Sequence, residues 1–91
     1  MKVYIAGKIT GDPKYRFKFI QAERQLKKDG HTVISPAVLP SGLEPKDYMR
    51  ICIPMIDSAD AVAFLPDWKD SKGARIENLL CEYCGKEIIY L

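Results

Sequence analysis

Hydrophobic positions along the chain fall into two kinds of block: short continuous apolar runs and longer stripes of helical period. The run "KVYIA" (2–6) is β-branched and aromatic and stops at Gly7; "HTVIS" (31–35), "AVAFL" (61–65) and "EIIYL" (87–91) share its character. Runs of this length, apolar at consecutive rather than alternate positions, predict strands buried on both faces. Between the first two runs, Tyr15, Phe19, Ala22 and Leu26 recur at i, i+4, i+7 and i+11, one stripe of an amphipathic helix. Asp12 reads as its N-cap and Pro13 as its first residue; Lys27 and Lys28 suit its negative end, and Gly30 supplies its C-cap. A second helix is predicted from Pro45 to about Asp57. Its residues Tyr48, Met49, Ile51, Cys52, Ile53, Met55 and Ile56 are apolar nearly all round, which predicts a largely buried helix, kinked or frayed at Pro54. A third helix, from about Gly73 to Gly85, carries Ile76, Leu79, Leu80, Tyr83 and Cys84 at i, i+3, i+4, i+7 and i+8, which reads as its apolar stripe.

Four apolar strands alternating with three helices imply an α/β fold, a small doubly wound (flavodoxin- or Rossmann-like) parallel sheet covered on both faces. Right-handed crossovers leave 2-1-3-4 as the natural strand order, and 1–91 as a single domain. In that order the winding reverses between the first and third strands, and ligands of open α/β sheets bind at the carboxyl ends of strands beside such a point. The loops 7–12 and 66–73 are therefore expected to face each other across one crevice, with Glu77 one turn inside the helix beyond the second loop.

Composition narrows the function classes. The chain is 47% hydrophobic and 29% charged, with a net charge of +2, which argues for a folded soluble domain and against a nucleic-acid partner. Lys14, Arg16, Lys18, Arg24, Lys27 and Lys28 share a predicted helix with Glu23 and Asp29 and read as a solvated face. No run approaches the roughly 18 apolar residues of a membrane span. The N-terminus reads as a strand and not as a leader, and three cysteines do not make a disulfide framework, so a reducing cytoplasm is the expected setting.

Candidate chemistry lies in the two crevice loops. In "AGKITGD", Gly7 and Gly11 bracket Lys8 and Thr10 just before a helix; this suits an anion such as a phosphate, or simply a tight turn with a surface lysine. In "PDWKDSKG", Asp67 and Asp70 offer carboxylates and Ser71 a helix cap. Trp68 is placed either to stack on a flat ligand or to pack against the domain. Gly73 and Ala74 leave space beside Glu77, which is either a first-turn surface charge or a base or nucleophile kept ionised by the helix dipole. Cys81 and Cys84 have C-x-x-C spacing in a last turn, without a second pair to complete a zinc site, and read as buried core thiols.

These residues together resemble the nucleoside 2-deoxyribosyltransferase superfamily, especially its short, often phage-encoded members. "VYIAGKITG" is similar to the family's first strand and glycine loop, and "DSADAVAFLPDW" to its aspartate-led third strand. "DSKGARIENL" is similar to its D-S-G-T-A-x-E motif, with Glu77 four residues after Gly73. The resemblance implies that Glu77 attacks the anomeric carbon of a deoxyribose, that Asp70 assists the departing base or orients the ligand, and that Gly7 lines the sugar or phosphate pocket. It implies N-glycosidic cleavage or transfer on a small nucleoside or nucleotide without metal or organic cofactor, in a homo-oligomer (dimer or higher) whose strand edges and apolar second helix are covered. Lys72 is an extra residue between Ser71 and Gly73, Ala74 and Arg75 replace the family's residues, and a carboxylate frequent in the family falls at about Cys52. Lys8, Lys72 and Arg75 suggest a ligand with more negative charge than a nucleoside. The alternative function is a nucleotide-binding or sequestering module of the same fold that performs no turnover.

Overall fold

The computed structural model describes all 91 residues. Four strands, β1 (Lys2–Ala6), β2 (Thr32–Ile34), β3 (Ala61–Phe64) and β4 (Glu87–Tyr90), form one parallel sheet in the order β2-β1-β3-β4. Val3 sits opposite Val33 and Ala61, and Val62 opposite Ile88. The sequence pattern thus reads the topology and the strand positions to within a residue at each end.

Three helices cover the sheet: α1 (Tyr15–Lys28), α2 (Pro45–Ser58) and α3 (Lys72–Cys84). Alternate side chains of β1 part to opposite faces. Val3 and Ile5 join Phe19, Ala22 and Leu26 of α1, while Tyr4 and Ala6 join Cys52 and Ile56 of α2 and Cys81 of α3. Both faces of β1 and β3 are therefore apolar, which is why these strands read as unbroken runs. The same parity carries the hydroxyl of Tyr4 to the α2–α3 side.

Several local expectations are corrected. α1 begins at Tyr15, because Asp12 makes a turn ahead of the helix: its Oδ1 accepts the Lys14 N–H at 2.9 Å and its Oδ2 the Lys18 ammonium at 2.7 Å. Gly30, at φ +94°, lies one position beyond the cap. It donates to the Lys27 carbonyl while His31 N–H donates to that of Leu26, a Schellman ending that favours glycine. α2 runs unfrayed through Pro54 to Ser58 and buries only Cys52 and Ile56, so it is not the largely buried helix expected. α3 presents Ala74, Glu77, Asn78 and Cys81 to the interior. Of its predicted apolar stripe, Ile76, Leu79 and Tyr83 point outward, 52%, 65% and 92% exposed, and Cys84 is exposed as well, while Leu80 packs against the core. No helix is long and apolar enough to cross a membrane.

Candidate functional site

The carboxyl end of β1 opens into a cavity of about 280 Å³, walled by the loops after β1 and β3, the start of α2 and the first two turns of α3. Its volume is just below the roughly 300–1,000 Å³ typical of ligand sites. α3 starts where Ser71 Oγ accepts the Ala74 N–H at 3.1 Å, an N-cap that sets the rotation of the helix. From that start, residues 74, 77, 78 and 81 turn inward, and Glu77 comes to line the cavity with only 6% exposure. Gly73 lines it too. A Cβ there would make ordinary van der Waals contact with Met49 Cε at 3.7 Å and Ser71 Oγ at 3.9 Å, so the position tolerates a small side chain but glycine leaves the wall slightly wider.

Glu77 Oε2 accepts the Tyr4 hydroxyl at 3.0 Å, and none of the molecule's ion pairs involves it. Burial pushes its carboxyl up to about 7, partly opposed by the Tyr4 hydrogen bond. Glu77 lies in the second turn, beyond the reach of the helix-terminal dipole, so the expected dipole-stabilised ionisation is replaced by a desolvated carboxyl that titrates near neutrality. Burial and the neighbouring Glu77 hold the Tyr4 phenol far above its usual range, so Tyr4 remains a donor. The Cys52 thiol lines the same wall and is raised by burial, with Tyr4 opposing and Glu77 adding to the shift.

Of the residues singled out from the sequence, Gly7, Thr10, Asp70, Ser71, Gly73 and Glu77 meet around this cavity, and Lys72 joins them. Lys8, Gly11, Asp67 and Trp68 do not line it. Asp67 instead ties the two loops together. Its Oδ1 accepts the Lys8 N–H at 3.3 Å, and its Oδ2 accepts the Lys18 ammonium at 3.2 Å. Trp68 packs against Phe64 and Tyr90 with ring centroids 5.4 and 5.9 Å apart, the packing alternative of its two readings. Gly11 takes φ +82°, which favours glycine in the turn. Gly7 is required for a different reason: a Cβ there would lie 2.6 Å from Leu65 Cδ1 and 3.0 Å from Leu65 Cβ.

Tyr4, Tyr48, Met49 and Cys52 also line the cavity and are not among the predicted site residues. Tyr4 had a legible signal: it carries the only hydroxyl in a strand otherwise apolar inside, and a buried phenol needs a partner. The others depend on how α2 lies against α3, which no local pattern encodes.

No curated protein matches the chain by sequence. A solved structure of a 2-deoxyribosyltransferase from the psychrotolerant bacterium Bacillus psychrosaccharolyticus is similar, with a TM-score of 0.74. The match covers 99% of this chain and 71% of that one at 21% identity, and it establishes the shared fold. By sequence, the profile described as a domain of unknown function, DUF4406, matches residues 1–90, and the chain belongs to that family.

Proposed function

We propose that the protein cleaves or exchanges the N-glycosidic bond of a deoxynucleoside or its 5′-phosphate, with Glu77 as nucleophile. The observation that carries this reading is the buried Glu77 carboxyl, hydrogen-bonded to Tyr4 at 3.0 Å and facing a small-molecule-sized cavity at the switch point of the sheet. The 2-deoxyribosyltransferase fold agrees with it.

A Glu77 carboxylate oxygen attacks the anomeric carbon as the bond from that carbon to the base nitrogen breaks. The base leaves with the bonding pair and takes a proton from solvent at the mouth, where the exposed Asp70 sits. The resulting glycosyl ester is then attacked by water or a second base, which regenerates the carboxylate. Tyr4 orients the carboxylate and favours its ionised form, the form that attacks. Lys72 at the rim places positive charge where a 5′-phosphate can lie. The reaction requires no metal or organic cofactor.

A second reading, ligand binding without turnover, is favoured by Cys52 standing in the wall where the resemblance calls for a carboxylate. One assay separates the two. The protein is incubated with the four deoxynucleosides and their 5′-monophosphates, and free base is followed with and without an acceptor base. Release by the wild type and its loss in Glu77→Ala support the glycosyl-transfer reading. Calorimetric binding without release, unchanged in Glu77→Ala, overturns it in favour of the binding module.

A further inference from the structure

The solvent face of α3 is left without a partner inside the chain. Ile76, Leu79 and Tyr83 recur there at i, i+3 and i+7 and are half to almost fully exposed. Contiguous apolar exposure of this kind marks an interaction surface more often than scattered single residues do. α2 was the helix expected to need cover; α3 presents a more exposed apolar face.

The charges beside the stripe say what fits it. With 3.6 residues per turn, Leu79 lies at the centre of the exposed face. Arg75 and Glu82 lie two turns apart on one flank, and Ile76 and Tyr83 lie two turns apart on the other. All four are exposed. When two identical helices pack antiparallel about a two-fold axis, each flank meets the same flank of its mate in reversed order. An axis through Leu79 then sets Leu79 against Leu79, Ile76 against Tyr83, and Arg75 against Glu82, each heterogeneous pair occurring twice. The three pairings share one centre to within half a residue. A parallel arrangement would set the Arg75–Glu82 flank against the Ile76–Tyr83 flank and leave the charges facing apolar side chains. Lys86, just beyond the end of α3, is drawn away from the seam, since its ammonium donates to the Ala59 carbonyl.

We propose that the outward face of α3 is the seam of an isologous homodimer, with antiparallel α3 helices crossing at Leu79 and Arg75 of one copy paired with Glu82 of the other. The proposal stands apart from the glycosyl-transfer reading, because its readout is mass and not activity.

Sedimentation equilibrium on the purified protein at tens of micromolar tests it. The wild type is expected to be a dimer, and Leu79→Glu a monomer with an unchanged far-ultraviolet circular dichroism spectrum, since Leu79 contributes little to the chain's own core. Arg75→Glu and Glu82→Arg are each expected to weaken dimerisation at least tenfold, and the Arg75→Glu/Glu82→Arg double variant to restore it. A monomeric wild type overturns the proposal, as does a Leu79→Glu protein that remains dimeric. A double variant no better than the singles overturns the antiparallel pairing on which the proposal rests.

Discussion

At the scale of single residues, Glu77 is a carboxylate that the fold holds at a cost. Its pKa is raised from 4.5 to about 7 by burial. Below about pH 4.5 the group is protonated both folded and unfolded, and no penalty arises. Between there and about 7 the folded state holds a proton that the unfolded chain releases, so stability falls as pH rises. Above 7 the penalty is complete, on the order of 3 kcal/mol for a shift of this size. Glu77→Gln keeps an acceptor for Tyr4 and removes the charge. Denaturant unfolding is expected to find it more stable than wild type by up to about 3 kcal/mol near pH 8, with most of the difference gone near pH 5. Equal stabilities at both pH values would contradict the burial account. Tyr4→Phe removes the hydrogen bond that lowers the Glu77 pKa. The ascending limb of a pH–rate profile is therefore expected to move to higher pH, above about 7, with kcat reduced more than substrate affinity. An unmoved limb would remove Tyr4 from the machinery. Gly7 is a packing requirement: Gly7→Ala must displace Leu65, and a loss of about 1–3 kcal/mol is expected in thermal or denaturant unfolding.

At the scale of elements, the strands and their order were readable because parallel strands buried on both faces can only be continuous apolar runs. The helix starts and the orientation of α3 were less so. Asp12-Pro13 has the composition of a helix start, yet Asp12 spends its carboxylate on Lys14 and Lys18 ahead of the helix. α3 offers two candidate inner faces, an apolar one through Ile76, Leu79 and Tyr83 and a mixed one through Ala74, Glu77, Asn78 and Cys81. Periodicity alone favours the first, but the fold buries the second. Asn78 is satisfied there by Tyr90 at 3.1 Å and Glu77 by Tyr4. Local pattern fails where a site and an outer surface each lay claim to one helix. The loops follow similar logic. Asp67 reads from sequence as a ligand carboxylate, whereas it joins the loop after β1 to the loop after β3 through Lys8 and Lys18. Lys18 is substantially exposed, so solvent screens the ion pair and it adds little to stability. Asp67 holds the backbone of the loop after β1, whose Gly7, Ile9 and Thr10 line the cavity. Asp67→Asn is expected to weaken binding of a deoxynucleoside 5′-monophosphate several-fold in calorimetry while shifting Tm little; unchanged affinity would show the clamp to be irrelevant to the site.

At the scale of the whole molecule, α1 stands alone on one face of the sheet, while α2 and α3 share the other and hold the cavity between them and the strand ends. One helix then serves two purposes. The inward face of α3 supplies Glu77, and its outward face supplies the proposed seam. Which residues line the cavity was half legible: the switch-point rule located the crevice, and the resemblance of "DSKGARIENL" to the D-S-G-T-A-x-E motif picked out the acid. Tyr48, Met49 and Cys52 enter only through the packing of α2. The central claim, that Glu77 is a nucleophile, is tested most directly by the mass of the intact protein quenched during turnover of a deoxynucleoside or its 5′-monophosphate, followed by peptide mapping. The account predicts a species heavier by one deoxyribosyl group, carrying its 5′-phosphate where the monophosphate is the substrate. The added group is expected on the peptide containing Glu77 and is absent in Glu77→Gln. Base released while the protein keeps its native mass throughout, with Glu77→Gln still active, would contradict it.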